Sequence, residues 1–260
     1  MDIVRALRAD RGLTCLVGAG GKKTSLYALA RRLDRAVLTA TVRIPIFDRE
    51  VGSVAVSDDP VSTLSAASTT WPLGLVPERE GDRYTGYEPE TVSAIASAHD
   101  GPVLVKADGA RTREFKAPGD DEPRIPETTD VVVPVASVDA VGRPLSERSV
   151  HRPERVAALT DLERGDTVTP EAVATVLAHP DGGLKAVPSG TTVIPLLNKV
   201  DDEGDEAVAR SIARRVFERI DETEPLGPSS DARIPRVVCA RMIDPTIVAV
   251  VERSTDARQA

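Results

Sequence analysis

The chain has 260 residues, a formal net charge of −8 and a sequence pI of about 5.1. An acidic chain of this kind argues against nucleic acid or an anionic membrane as the main partner. The length suits one large α/β domain or two small ones, and it is sufficient to bury a stable core. The first residues lack the apolar segment of a signal peptide, and no run reaches the length of a membrane span. We therefore expect a cytoplasmic protein.

A glycine-rich segment joins the first predicted strand to a predicted helix. The apolar run Leu13–Val17 predicts a buried strand. A helical face follows, with apolar residues at Leu26, Leu29, Ala30 and Leu33. Between strand and helix lie Gly18, Ala19, Gly20, Gly21, Lys22, Lys23, Thr24 and Ser25. Glycines let backbone N–H groups approach an anion, a helix N-terminus favours negative charge, and lysine and hydroxyl side chains contact phosphate and magnesium. The segment predicts a phosphate-binding loop.

The match of this loop to the Walker pattern G-x-x-x-x-G-K-[ST] is incomplete. Lys23 and Thr24 fit the lysine–hydroxyl pair, but Lys22 then stands where the second glycine belongs. Gly21 and Lys22 fit instead if Lys23 replaces the hydroxyl residue. We favour Lys23 as the catalytic lysine, with Thr24 as a magnesium ligand and Lys22 as a second cation. The dinucleotide pattern G-x-G-x-x-G fits less well, because Lys23 takes the place of its third glycine. A glycine-rich turn capped by Thr24 is the alternative.

Two further predicted strands end in polar residues. Thr39 and Thr41 lie in the strand predicted at 36–42, and Asp108 lies at the carboxyl end of the strand predicted at 102–109. Open α/β sheets bind ligands at the carboxyl ends of their strands. We therefore expect Thr39 and Thr41 to contact phosphate or magnesium, and Asp108 to be a magnesium ligand and catalytic group. Threonine is also common in strands, and Asp-Gly is an ordinary turn.

The segment after Asp108 has no periodicity and is dense in cations. Long segments of this kind are often functional. Arg111, Arg113 and Lys116 are candidates to bind a substrate phosphate or carboxylate, with Arg111 as a catalytic group. A solvated charged loop is the alternative.

The sequence Asn198-Lys199-Val200-Asp201 directly follows a predicted strand. This N-K-x-D pattern is the guanine-reading signature of GTPases, and an Asp carboxylate accepts two N–H bonds that adenine lacks. We therefore expect Asn198, Lys199 and Asp201 to contact a guanine base, although the same residues also suit a simple strand-to-loop junction. The last predicted strand is Arg236–Arg241. Residues 77–88, before this motif, are predicted to form a surface loop.

Several short motifs occur in a fixed order along the chain: Gly18–Lys22, Leu38–Thr41, Ala107–Arg111, Lys116–Pro118, Glu122–Pro126, Val150–Arg152 and Leu197–Asp201. Together they resemble the YqeC family, whose members are described as accessory proteins of selenium-dependent molybdenum hydroxylases. The resemblance implies a P-loop-type α/β fold and a nucleotide-linked role in maturing such an enzyme. It also draws attention to His151 and Arg152. Two positions depart from the family pattern: Lys106 stands where a glutamate is usual, and the lysine of the loop is doubled.

These observations predict a single P-loop-like nucleotide-binding domain over residues 1–260. We expect a mainly parallel, doubly wound sheet in a three-layer α/β/α arrangement. The expected function is that of an Mg²⁺-dependent NTPase or phosphotransferase that uses GTP or ATP. The loops 109–126 and 139–152 would form a second pocket facing the terminal phosphate. The alternative is a nucleotide-gated protein that binds a molybdenum hydroxylase or its cofactor with little or no hydrolysis.

Overall fold

The computed structural model describes residues 1–66, 70–222 and 233–254. Within these ranges the helices are α1 (Ile3–Ala6), α2 (Lys22–Ala30), α3 (Pro60–Ala66), α4 (Pro89–Ala98), α5 (Pro153–Leu159), α6 (Pro170–Ala178) and α7 (Glu203–Glu222). The strands are β1 (Leu13–Gly18), β2 (Val37–Ala40), β3 (Ile44–Pro45), β4 (Ser53–Val56), β5 (Leu73–Val76), β6 (Arg79–Glu80), β7 (Arg83–Tyr84), β8 (Val103–Lys106), β9 (Phe115–Lys116), β10 (Val131–Ser137), β11 (Val150–His151), β12 (Thr192–Val193), β13 (Leu196–Asn198), β14 (Arg236–Arg241) and β15 (Thr246–Glu252).

The main sheet of the described chain has ten strands. Its order is β15-β14-β13-β10-β1-β8-β2-β5-β4, and β12 pairs with β10. All of these pairings are parallel except that of β14 with β15. After β1 the chain builds one half of the sheet and then crosses to β10 on the other side of β1. Ligand sites of open α/β sheets lie at such a reversal, outside the carboxyl ends of the strands.

Helices cover both faces of this sheet. Strand β1 shows the alternation, since Cys15 and Val17 belong to the apolar cluster that also contains residues of α4, α5, α6 and α7. Leu16 belongs to the opposite cluster, with residues of α1 and α2. Successive side chains of a strand point to opposite faces, so both faces need apolar cover. The predicted three-layer, mainly parallel α/β fold is confirmed. None of the described helices combines the length and apolarity needed to cross a membrane.

Two segments differ from the sequence-based expectation. The segment predicted to be a surface loop contains β6 and β7, which form a three-stranded sheet with β3. These strands have two residues each, too short to produce a periodic pattern, and Tyr84 is their buried anchor. Strand β15 follows the strand expected to be last and runs antiparallel to β14. Its sequence is rich in β-branched residues, which favour strands.

Candidate functional site

The glycine loop between β1 and α2 packs directly on β10 and on Asn198. Gly18, Gly20 and Gly21 have φ angles of 90°, 78° and 122°, a region that favours glycine. A Cβ atom at Gly18 would lie 2.3 Å from the carbonyl oxygen of Val135, and one at Gly21 would lie 2.1 Å from Nδ2 of Asn198. Both the backbone conformation and the space therefore require glycine.

The backbone N–H groups of this segment divide into two sets. Those of Gly18, Ala19 and Gly20 donate within the protein, to Asp108 Oδ2, Val135 O and Arg113 O, each at 2.8 Å. In the part of the chain that the structure describes, no acceptor receives the N–H groups of Gly21, Lys22, Lys23 and Thr24. A helix N-terminus with open N–H groups and a positive dipole end is suited to an anion.

A buried cluster of charged side chains lies behind the loop. Lys22 Nζ is 2.8 Å from Asp108 Oδ1, and Lys116 Nζ is 2.9 Å from Asp108 Oδ2. Lys22 also donates to the carbonyl oxygen of Gly18. Lys116 continues to Glu122 Oε2 at 2.8 Å, and Arg152 binds the same oxygen at 2.7 Å. The cluster ties α2, β8, β9 and the start of α5 together, because each buried charge has an opposite charge beside it.

The carboxylates of this cluster are held in their charged form. Burial raises the pKa of Asp108, but Lys22 and Lys116 outweigh burial and bring that pKa below its usual value. Glu122 shows the same balance, with burial opposed by Lys116 and Arg152, and its pKa falls to about 2. Both groups are consequently ionised at neutral pH and are poor proton acceptors.

A cleft of about 710 Å³ opens beside the loop. It lies at the carboxyl ends of β1, β2, β8 and β13, where the glycine loop and α2 meet the segment after Asp108. Its lining includes eight basic residues and two carboxylates: Lys22, Lys23, Arg43, Arg83, Lys106, Arg111, Arg113 and Lys199, with Glu114 and Glu122. A basic cleft in a chain of net charge −8 marks a site for an anionic ligand.

Lys106 at the end of β8 lines this cleft although it is only 6% exposed. Its Nζ donates to the carbonyl oxygen of Arg43 at 2.9 Å. Burial lowers the pKa of Lys106 to about 7, and the ammonium groups of Lys22 and Lys116 add to this shift. At neutral pH a large share of Lys106 is therefore an uncharged amine.

The two threonines of β2 and its end lie inside the protein. Thr39 is fully buried, and its hydroxyl has no partner among the described residues. Thr41 is 1% exposed and donates to the carbonyl oxygen of Arg124 at 2.7 Å. Ser25, at the end of the glycine segment, donates to the carbonyl oxygen of Gly21 at 3.1 Å. The cleft lining includes none of the three, and the predicted contact of Thr39 and Thr41 with phosphate stays a prediction.

The residues from Asn198, the last of β13, to Asp201 lie in three different environments. Asn198 is buried, donates through Nδ2 to Gly20 O at 2.8 Å and accepts from the Met242 N–H at 2.9 Å. It joins the glycine loop to the end of β14. Lys199 lines the cleft and pairs with Glu114 at 2.7 Å and with Asp139 at 3.1 Å. Asp201 is exposed, and its backbone N–H donates to Asp205. Guanine contact by this segment stays a prediction.

The two expected magnesium ligands, Thr24 and Asp108, differ in whether their oxygens are already paired. Thr24 lines the cleft, but each oxygen of Asp108 already faces an ammonium group. In the described residues no group of three or more His, Cys, Asp or Glu side chains is arranged to hold a metal ion. A cation at Asp108 would have to displace Lys22 or Lys116, so the present donor set fits an anion and not a cation. Coordination by Thr24 and Asp108 stays a prediction.

The segment after Asp108 closes one side of the cleft. Arg111 and Arg113 line it, whereas Lys116 is 4% exposed and belongs to the buried cluster. A second cavity of about 260 Å³ lies beyond Arg111 and Arg113 and includes His151 and Arg152 in its lining. The structure thus brings residues of the loops 109–126 and 139–152 together next to the main cleft.

Sequence analysis missed several residues of the cleft. Arg43 follows β2 and Arg83 lies on the short hairpin, and nothing in the local sequence marks either as part of a site. Glu122 was visible only as a member of an ordered motif, and its pairing with Arg152 spans 30 residues. Lys106 was noted only for standing in place of a glutamate. Long-range pairing of this kind leaves no local sequence pattern.

The fold and the site define an α/β protein with a glycine loop and a basic cleft at the carboxyl ends of its strands. A family model described as "YqeC protein" matches residues 14–154. The chain is also 30% identical over 204 residues to "Uncharacterized protein YqeC" of Escherichia coli (strain K12), covering 75% of this chain and 78% of that protein. This chain belongs to the YqeC family, as the motifs predicted. The matched residues include the glycine loop, Asp108 and His151, and end before Asn198.

Proposed function

We propose that the protein binds a nucleotide whose phosphates lie against the start of α2. The open N–H groups of Gly21, Lys22, Lys23 and Thr24 are the observation that carries this proposal. They combine with the two lysine side chains in a cleft whose volume of about 710 Å³ suits a small ligand. Four backbone donors and cationic side chains match the charge and acceptor oxygens of a polyphosphate.

The proposed chemistry is phosphoryl transfer to water or to an acceptor hydroxyl. Such catalysis depends mainly on positioning and on electrostatic stabilisation. Lys23 and the open N–H groups would hold the phosphates, and Arg111 on the opposite wall would stabilise charge on the transferring group. Asp108 would act through Lys22, whose position it fixes.

The proton acceptor in this proposal is Lys106. A general base works best when its pKa is near the working pH, and the pKa of Lys106 is about 7. Asp108 is a weaker candidate because Lys22 and Lys116 occupy both of its oxygens. We expect turnover to rise with pH through about 7, with apparent pKa near that of Lys106, and the Lys106→Met variant to lose this dependence.

The identity of the nucleobase is the second part of the proposal. Asn198 would keep the loop in position, and Asp201 would read guanine, which favours GTP over ATP. Participation in the maturation of a molybdenum hydroxylase, selenium-dependent or not, rests only on the resemblance of the motifs to the family.

A nucleotide-gated binding protein is the second candidate. It is favoured by the hydrogen bond from the Gly20 N–H to Arg113 O, which joins the glycine loop to the segment after Asp108. Arg111 and Thr112 in that segment have φ angles of 45° and 57°, a strained conformation for non-glycine residues. A ligand in the loop would bias the position of this segment and of any client bound to it.

Calorimetric titration with GTP and with ATP, with Mg²⁺ and with EDTA, tests the proposal. Lys23→Met should weaken nucleotide binding about tenfold or more, equivalent to roughly 1.4 kcal/mol. Arg214→Met removes the same charge from an exposed position of α7 outside the cleft and should leave affinity unchanged. Absence of binding by either nucleotide would refute the proposal. Binding without turnover, in the presence and absence of acceptor alcohols, would favour the gated protein over the phosphotransferase.

A further inference from the structure

The second cavity, of about 260 Å³, shares a wall with the main cleft. Arg111 and Arg113 line both spaces, and His151 and Arg152 line only the second. The wall is fixed to the glycine loop, because Arg113 O accepts the Gly20 N–H at 2.8 Å. A ligand in the second cavity would therefore lie next to whatever the loop binds.

Local pairing holds the second cavity in shape. The strands β9 and β11 pair in parallel, with Val150 opposite Phe115 and His151 opposite Lys116. The Glu114 N–H, just before β9, donates to Ser149 O, just before β11, at 2.9 Å, and so extends the pairing of these strands by one bond. This pairing sets the cationic residues on both sides of one space.

The lining of the second cavity contains three arginines and two glutamates, a formal excess of one positive charge. Arg113 donates to the carbonyl oxygens of Glu147 and Arg111, at 2.5 Å and 3.2 Å, so no carboxylate neutralises it there. Within the described residues the Arg111 side chain has no acceptor. The carboxylates of Glu147 and Glu154 also line the space, but Glu147 lies 3.7 Å from Arg164, which is outside it. Arg152 shares Glu122 with Lys116.

Burial and the surrounding cations together keep the ring of His151 in its neutral form. Burial lowers the pKa of His151 to about 4, and Arg152, Lys116 and Arg111 contribute to the shift while Glu122 opposes it. The backbone of the wall is strained as well, since Arg111 and Arg152 have φ angles of 45° and 60°. Strained residues persist where the surrounding structure holds them, and they concentrate at ligand sites.

We propose that the second cavity binds the oxyanion group, phosphate or carboxylate, of a small second ligand that extends past Arg111 and Arg113 toward the nucleotide. This proposal rests on the proposed function in one respect, namely that the main cleft holds the nucleotide. Arg111, Arg113 and Arg152 supply the charge-assisted donors, and neutral His151 supplies a ring N–H. This ligand would then be the acceptor of the phosphoryl group, or the molecule whose binding the nucleotide controls.

Ring resonances of the histidines test this proposal in the full-length chain. The sequence has three histidines, His99, His151 and His179, so ¹³C labelling of histidine gives a simple spectrum. Inorganic phosphate and, separately, malonate would be titrated after saturation with a non-hydrolysable nucleotide. We expect saturable shifts of His151 with at least one of the two anions and no comparable shift of His99 or His179. The bound anion should also raise the pKa of His151, because it offsets the surrounding cations.

Matched variants separate the site from a general salt effect. Arg111→Met should weaken the anion's effect on His151 about tenfold, and Arg111→Lys should restore part of it. Arg148→Met removes the same charge from an exposed residue of the neighbouring loop that does not line the cavity, and it should change nothing. An absence of saturable shifts with both anions, or equal effects in the Arg111→Met and Arg148→Met variants, would overturn the proposal.

The same samples distinguish this proposal from the proposed function. Backbone amides of ¹⁵N-labelled Lys22 and Lys23 report the loop, and His151 reports the second cavity. If the nucleotide leaves the lysine amides unchanged but phosphate or malonate still shifts His151, the proposed function fails and the anion site stands. If the lysine amides respond to nucleotide and His151 responds to neither anion, the anion site is refuted and the nucleotide site remains.

Discussion

The glycine loop and the segment Asn198–Asp201 both lie at the carboxyl end of a buried strand, at the same edge of the sheet, yet they differ in construction. Around the loop, every charged group behind the backbone is paired, and the N–H groups at the start of α2 are open. In the second segment, Asn198 is buried and hydrogen-bonded to the glycine loop, Lys199 forms ion pairs at the cleft, and Asp201 is exposed. Adjacent residues of the Asn198–Asp201 motif therefore have different environments. The glycine loop, in contrast, presents several open donors to one ligand position.

The largest expected effect on the free energy of unfolding follows from removing the shared carboxylate of the buried cluster. Asp108→Asn leaves Lys22 and Lys116 without their shared carboxylate, and losing one partner of a buried ion pair costs about 3–5 kcal/mol of unfolding free energy. Asp201→Asn changes the same charge at an exposed position and should stay within about 0.5 kcal/mol. Urea unfolding of both variants measures the difference. Equal stability of the two variants would show that the cluster does not support the loop.

The next effect concerns the contact between the loop and Asn198. Gly21→Ala places a Cβ atom 2.1 Å from Asn198 Nδ2 at a φ angle of 122°. We expect a loss of about 3 kcal/mol, from backbone strain and a broken buried hydrogen bond. Gly190→Ala is the control, because its φ angle is 77° and no atom lies within 4 Å of the added Cβ. Thermal unfolding should show a loss of only about 1 kcal/mol for that variant. A smaller loss in Gly21→Ala than in the control would contradict the packing of the loop.

A smaller effect tests the hydrogen bonds by which Asn198 connects the glycine loop to the end of β14. Asn198→Asp keeps the oxygen that accepts the Met242 N–H but removes the donor to Gly20 O, and it should cost about 1–3 kcal/mol in urea unfolding. The same variant should weaken nucleotide binding through the loop for GTP and ATP alike. Asp201→Asn should weaken only GTP. If Asn198→Asp left ATP binding intact, the two regions would not be coupled.

The smallest effect is the pH dependence due to His151. Its pKa is about 4 in the folded protein and about 6.5 in the unfolded chain, so the unfolded chain binds more protons between these values. Stability should therefore fall as pH decreases from about 6.5 to about 4. His151→Gln should reduce this slope, with a difference below about 1 kcal/mol because the ring is only partly shielded from solvent. Unfolding free energies at matched pH values check the sign, and a steeper slope in the variant would contradict it.

Much of the fold could be predicted from the sequence because buried strands and helix faces are periodic. β1, β2, β8 and β14 were each marked by an apolar run, and α2 by its spacing. The hairpin of β6 and β7 was missed because two-residue strands are too short to show alternation. Within the site, the glycine loop and Asp108 were visible as local motifs. The contacts of Asp108 with Lys22 and Lys116, and of Asn198 with the loop, depend on tertiary packing and leave no local sequence pattern.

The most direct test of the loop uses the scarcity of lysine in this chain. The six lysines are Lys22, Lys23, Lys106, Lys116, Lys185 and Lys199, so selective ¹⁵N-lysine labelling gives six backbone amide signals. Addition of GTP or ATP should shift the Lys22 and Lys23 amides strongly and saturably, because their open N–H groups would bond to phosphate oxygens, while Lys185 stays unchanged. If nucleotide shifted none of the signals, or shifted Lys185 as much as Lys22 and Lys23, the start of α2 would not be a phosphate site.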